Sequence, residues 1–129
     1  TGFDWLGIPI HKPEKIIDKS LSIGVSGYGC DLVDIVYVLY KCSEQTNYRR
    51  KDILKYFNYL EEVIAKHYFT DEKAFSYNVD RSQIYYYGLK ITRGLKTPDL
   101  HGTLLLLWAL SMINDLYEEK KINLHIIKP

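Results

Sequence analysis

The feature that most constrains this chain is an apolar run near its C-terminal end. Residues 104–110, LLLLWAL, contain no polar side chain, and Pro98 and Asp99 stand a short way before them. Asp99 can cap a helix, because its carboxylate accepts backbone N–H groups that a first helical turn leaves open. We therefore predict one helix over 99–116, buried on all sides because no face of its middle part is polar. The run is too short, and its ends are too polar, for a membrane span.

Size, charge and cysteine content narrow the class of protein. The chain has 129 residues, enough for one domain or a part of a larger one, and 47% of them are apolar. Its net charge is +1 and it has no basic run, so the composition predicts no nucleic-acid partner. Cys30 and Cys42 fall at opposite ends of one predicted helix, about 18 Å apart, which is too far for a disulfide. Free thiols and the lack of a signal peptide predict a cytoplasmic location, and a start at Thr1 rather than Met suggests a piece of a longer protein.

Three other segments have helical patterns. Residues 13–23 are amphipathic and start with Pro13, which suits a first helical turn. In 48–67, apolar residues recur three and four positions apart, as in a helix with one buried face. The apolar stretch 31–42 is predicted to be helical, although its β-branched residues also allow a strand. The other segments are expected to be non-helical: 1–13 irregular, 69–94 turns and short extended pieces, and 118–129 an extended tail.

Two segments of the chain are similar to each other. Residues 31–40 and 99–108 both begin with Asp-Leu, continue into an apolar run and end on a large aromatic side chain. Self-similarity of this kind indicates a repeated supersecondary unit. With the one-faced helix 48–67 between the copies, the pattern predicts two inner helices side by side and one outer helix, as in a barrel of helical hairpins.

Three motifs carry a resemblance to a known family. Residues 94–103, GLKTPDLHGT, lead into the apolar helix; residues 32–34, LVD, are followed by Tyr37; and residues 71–76 read DEKAFS. The first two resemble the starts of a late and an earlier inner helix in protein prenyltransferase β-subunits. The third resembles a degenerate Asp-Gly-Gly-Phe-Ser turn. In this order the motifs resemble the α/α-toroid superfamily, which also includes the terpenoid cyclases, over residues 28–116.

The resemblance implies an all-α fold of helical hairpins of α/α-toroid type, here a partial barrel with irregular loops. The 129 residues are too few for the dozen or so helices of a closed toroid, so we expect a single helical domain or the C-terminal part of a larger toroid. The expected parts are 1–27, an irregular segment plus a short helix; 28–117, the helical core; and 118–129, the tail.

The chain departs from the family at the metal site. Prenyltransferases bind zinc with an Asp, a Cys two positions later and a His near the start of the late inner helix. Asp34 matches the first ligand, but Val36 stands in place of the thiolate. Gly102 stands in place of the His, and His101 is one residue early, which turns a helical side chain by about 100°. We therefore predict no metal and no cofactor.

In a toroid, the N-terminal ends of the inner helices line the mouth of the central cavity. On that basis Asp34 and His101 are candidates for acid/base catalysis, with a His satisfied by a backbone carbonyl as the structural alternative. Asp31 and Asp99 are at the same time candidate N-caps. The predicted cavity-lining residues are Asp31, Asp99, Tyr37 and Thr103.

The tyrosines at 85–87 can stack on a sugar or a prenyl chain, or they can fill the core from a loop. The predicted partners are a small apolar or glycan ligand, and self-association or the remainder of a longer chain. Two interpretations stay open. The chain is part of a toroid enzyme acting on a polyprenyl, terpenoid or glycan substrate, or it is a non-catalytic helical-repeat module for binding or structure.

Overall fold

A computed structural model describes residues 2–117, apart from the Phe3 side chain. Within this range four helices come first, four short strands follow, and a fifth helix comes last, while the predicted tail 118–129 lies outside the described residues. The helices are α1 (Gly2–Trp5), α2 (Pro13–Ser22), α3 (Gly29–Ser43), α4 (Arg50–Ala65) and α5 (Leu100–Leu116). The strands are β1 (Tyr68–Phe69), β2 (Ala74–Phe75), β3 (Tyr85–Tyr86) and β4 (Leu89–Lys90).

The predicted helices are confirmed, with shifts of a few residues at their ends. Helix α3 is helical despite its β-branched content, and α2 begins with Pro13 as expected. The predicted irregular segment 1–13 contains the single turn α1, so that prediction is partly wrong. Helix α4 has one apolar face toward the core, formed by Ile53, Phe57, Leu60, Val63 and Ile64.

Helices α3 and α5 pack side by side and run in the same direction. The start of each helix contacts Tyr77. The Gly29 N–H in α3 donates to the Tyr77 carbonyl at 3.0 Å, and the Tyr77 N–H donates to the carboxylate of Asp99, the N-cap of α5, at 2.8 Å. Near their last turns, the Tyr40 hydroxyl donates to the Asp115 carboxylate at 2.8 Å. The parallel pairing of the two similar segments is therefore confirmed.

The prediction of an all-α fold of α/α-toroid type is wrong. The described residues also form two small antiparallel sheets, β1–β2 and β3–β4, which make a mixed α/β domain. In β3–β4, Tyr85 pairs with Lys90 and Tyr86 pairs with Leu89. A two-residue turn connects these strands. Strands of two residues are too short to show an alternation of polar and apolar residues in the sequence.

The burial of α5 also differs from the prediction. Leu106, with no exposed surface, lies in the core beside α3, but Leu100, Leu104 and Leu107 are 76%, 59% and 47% exposed. These three leucines lie four and three positions apart, and therefore on one side of the helix. The described residues thus surround α5 on part of its circumference only.

No helix among residues 2–117 has both the length and the apolar character needed to cross a bilayer.

Candidate ligand-binding surface

One carboxylate organises the start of α5. Asp99 is the N-cap, and its Oδ1 accepts the Gly102 N–H at 2.7 Å. Its Oδ2 accepts two more backbone N–H groups, from Tyr77 at 2.8 Å and from Gln83 at 3.0 Å. The predicted N-cap is confirmed, and Asp99 in addition ties two loop positions to the helix.

A row of aromatic rings begins at this point. Tyr77 stacks on the His101 ring, with centroids 5.2 Å apart and an interplanar angle of 13°, and on Tyr28 at 6.3 Å and 16°. Tyr86 meets the His101 ring edge-on at 5.4 Å, and Tyr87 meets Tyr86 edge-on at 4.6 Å. We call these five residues, each in contact with the next, the aromatic row.

Two glycines allow the row to form. A Cβ on Gly29 would lie 3.0 Å from the Tyr77 ring, and a Cβ on Gly102 would overlap the backbone of Ser76 and Tyr77. The segment after β2 therefore fits against the start of α5 only because Gly102 has no side chain, whereas a side chain on Gly29 would require a small shift of the Tyr77 ring. Gly102 therefore has a packing role in this protein.

Tyr87 occupies the tip of the β3–β4 hairpin. It has a φ of 46°, and Gly88 after it has a φ of 81°, as a two-residue hairpin turn of type I′ requires. A bulky residue in the left-handed region is uncommon and costs conformational energy. The Tyr87 side chain is also 91% exposed, and the ring contact described for it is the one with its neighbour Tyr86.

The row carries polar groups beside its ring faces. The amide oxygen Oε1 of Gln83 accepts from His101 Nδ1 at 2.7 Å, so Nδ1 holds the proton and Nε2 is the acceptor of the neutral ring. Burial and a hydrogen bond with the Cys30 thiol raise the pKa of Tyr77. The surface therefore offers hydroxyl groups and one imidazole nitrogen for hydrogen bonding.

A cleft of about 400 Å³ adjoins the row at Tyr28. Its lining combines one cation with small polar and apolar side chains. We call it the Arg81 cleft, and its lining residues are Ser26, Gly27, Tyr28, Asn78, Val79, Arg81 and Ile84.

The two predicted catalytic residues lie in different surroundings. His101 belongs to the aromatic row, whereas Asp34 lines another cleft, of about 420 Å³, between α2 and α3. Asp31 lines that second cleft as well and accepts a hydrogen bond from the Ser26 hydroxyl. Partial burial and repulsion from Asp31 raise the pKa of Asp34. Asp31 is not the predicted N-cap, because α3 begins at Gly29 and places it within the first turn.

The other predicted cavity residues use their hydroxyl groups within the fold. Tyr37 donates to the Asp4 carboxylate at 3.0 Å, and its ring packs against Trp108 at 5.5 Å. The Thr103 hydroxyl donates to the Phe75 carbonyl at 2.9 Å and accepts the Phe75 N–H at 3.1 Å. Thr103 thus holds β2 against α5.

Among the described residues, no group of three or more His, Cys, Asp and Glu side chains is placed to hold a metal ion. The absence of zinc stays a prediction, and metal analysis of the purified protein would test it.

Sequence reasoning identified the tyrosines at 85–87 but missed Tyr28, Tyr77 and Gln83. Tyr28 is far from Tyr77 and Gln83 in sequence, and it meets Tyr77 only because α3 and α5 start at the same place. A signal for them existed in Gly29 and Gly102, since a glycine in a first helical turn often marks a close backbone approach.

Comparisons with known proteins give no assignment. No family model matches the chain, and no curated protein or solved structure matches it significantly. The resemblance to prenyltransferase β-subunits and terpenoid cyclases therefore stays a prediction.

Proposed function

We propose that this chain is a non-catalytic binding module that holds a glycan against the aromatic row. The observation that carries the proposal is the exposed Tyr87 ring at a strained hairpin tip, in line with four further rings. Residues held in sparsely populated backbone conformations are concentrated at functional sites.

The chemistry of the row suits a sugar. A pyranose presents C–H groups on one face, which pack on the electron-rich face of a tyrosine, and hydroxyl groups around its edge. Tyrosines supply such contact area at a low cost in conformational entropy, because each has only two rotatable side-chain bonds. The tyrosine hydroxyls and His101 Nε2 then match the sugar's own donors and acceptors.

An apolar prenyl or terpenoid chain fits this surface less well. Such a ligand gains most from a concave site that removes its whole surface from water. The row is instead open, and Tyr28, Tyr86 and Tyr87 are all exposed.

The separate positions of the two candidate catalytic residues support a binding role. A general acid and a general base act on one substrate, so both must reach the same bound molecule. Asp34 and His101 line different parts of the surface. The cytoplasmic location expected from the unpaired Cys30 and Cys42 stays a prediction.

Isothermal titration calorimetry against a panel of neutral and acidic oligosaccharides tests the proposal. Replacing an aromatic ring costs about 0.5–1.5 kcal/mol beyond its buried area, so Tyr87→Ala should weaken binding about tenfold. Tyr59→Ala is the control, because Tyr59 is an exposed tyrosine as well, at 50%, but lies on α4. Absence of binding, or equal affinity of the Tyr87→Ala variant and the wild type, would contradict the proposal, and so would release of new reducing ends.

A further inference from the structure

We propose that the Arg81 cleft binds the carboxylate of an acidic sugar, so that the ligand of the aromatic row is a glycan containing uronic acid. This inference rests on the proposed function and specifies its ligand.

The first support is the position of the cleft. Tyr28 belongs both to the lining of the cleft and to the aromatic row, so one ligand can occupy the two together. The cleft volume of about 400 Å³ is within the range of sites that hold small ligands. A sugar stacked at the Tyr28 end would therefore place its substituents at the cleft.

The second support is the charge of the cleft. Of the described residues that line it, Arg81 alone is charged. Arg81 forms no ion pair within residues 2–117, where the ion pairs involve Lys41 and Arg49. A planar guanidinium without a carboxylate partner matches the two oxygens of a ligand carboxylate through paired hydrogen bonds.

The backbone around Arg81 is held in place. The residue forms a β-bridge with Asn78, and its neighbour Ser82 donates its N–H to the Leu95 carbonyl at 3.0 Å. The Asn78 side chain also donates to the Ser82 carbonyl. The guanidinium therefore extends from an ordered base, which reduces the entropy lost when it binds a ligand.

The third support is the local charge around the hairpin. Residues 80–96 contain four cations and one acidic residue, Asp80, although the whole chain has a net charge of only +1. Three of these cations, Lys90, Arg93 and Lys96, are exposed like Arg81. A local excess of positive charge attracts an acidic polymer and speeds its association.

A single-stranded nucleic acid is the other acidic ligand that combines stacking with charge. The aromatic row fits it less well, because successive rings are 4.6–6.3 Å apart and contact one another. Bases therefore cannot insert between the rings.

Calorimetry with two hexasaccharides tests the inference: a hexagalacturonate and its methyl-esterified, uncharged form. We expect the acidic form to bind the wild type more tightly. Arg81→Gln should weaken binding of the acidic form about 10- to 100-fold, leave the neutral form unchanged and retain the wild-type thermal midpoint. Lys51→Gln on α4 removes an exposed cation far along the chain from the cleft and should leave both affinities unchanged.

The outcomes separate this inference from the proposed function. Equal binding of the two hexasaccharides, weakened alike by Tyr87→Ala and unaffected by Arg81→Gln, would overturn the acidic ligand while the glycan-binding function stands. Tighter binding of an oligothymidylate than of the hexagalacturonate, or binding of neither saccharide, would overturn both.

Discussion

The backbone of Tyr77 lies where a side chain on Gly102 would begin, so α5 and the segment after β2 touch through a glycine. This contact sets the position of the Tyr77 ring against His101, and with it the start of the aromatic row. The stability of the fold and the geometry of the candidate site are therefore coupled at one residue.

Gly102→Ala should destabilise the protein, although alanine is normally the better helix residue. The added methyl group overlaps backbone atoms, which cannot rotate away as a side chain would. Overpacking costs about 1–3 kcal/mol, against a gain of about 0.5–1 kcal/mol in helix propensity. Urea unfolding measures the difference. Gly24→Ala is the control, because a Cβ there meets nothing within 4 Å.

Asp99→Ala should lower the free energy of unfolding by more than the loss of an ordinary helix cap does. An N-cap contributes about 0.5–2 kcal/mol, and Asp99 also accepts the N–H groups of Tyr77 and Gln83. We expect a lower free energy of unfolding and faster hydrogen exchange at those two amides. Asp71→Ala, in an exposed turn, should change stability by less than about 0.5 kcal/mol. Equal effects of the two substitutions would show that Asp99 does not organise this region.

Substitutions along α5 should differ according to the face they are on. Leu106 is fully buried, so Leu106→Ala should cost about 2–5 kcal/mol and sharply reduce the yield of folded protein. Trp108 is half-buried against Tyr37, and its truncation should also be costly. Leu107→Ala should cost much less, because Leu107 is half-exposed, and Lys55→Ala on α4 should have little effect. Similar midpoints for Leu106→Ala and Leu107→Ala would contradict the burial of α5 described above.

The exposed side of α5 should promote self-association of this chain. This side carries Leu100, Leu104 and Leu107, which are spaced like the apolar positions of a helix–helix seam. Monomeric proteins rarely leave a contiguous apolar patch exposed to water. Light scattering should show a species larger than 15.1 kDa whose population rises with concentration. Leu104→Lys combined with Leu107→Lys should shift it to the monomer. A wild-type protein that stays monomeric at high concentration would contradict this prediction.

Alkaline pH should destabilise the protein partly through Cys42. Burial, with a smaller effect of the Glu14 charge, raises the pKa of its thiol from 9.0 to about 11. Between pH 9 and 11 the unfolded thiol loses its proton while the folded one keeps it, so the free energy of unfolding falls as the pH rises. Urea midpoints across this range should fall more steeply for the wild type than for Cys42→Ala. Cys30→Ala is the matched control. If the urea midpoints of all three proteins fell equally with pH, the Cys42 thiol would not be the cause of the pH dependence.

Local sequence patterns were sufficient to predict the four longer helices, α2 to α5. The one-faced spacing of α4, the capping carboxylate of Asp99 and the apolar runs of α3 and α5 are properties of neighbouring residues, and each produced a helix close to its predicted bounds. The similarity of 31–40 to 99–108 also predicted that α3 and α5 would lie side by side. These predictions succeeded because helix formation depends on contacts within a few residues and on burial of one face.

The uncovered side of α5 and the candidate site depended on contacts between distant residues. Tyr28, Tyr77 and Arg81 have no shared pattern in the sequence, and they adjoin one cleft and one row of rings only after α3 and α5 have paired. Asp34 and His101 were predicted to act together because both lie near the start of a helix. In the structure Asp34 lines the cleft between α2 and α3, whereas His101 belongs to the aromatic row. Sequence by itself determined which segments are helical and which of them pair, because those choices are made by local hydrogen bonds and apolar periodicity. The tertiary structure alone decided which side chains share a surface, because that depends on how closely two backbones approach, here at Gly29 and Gly102.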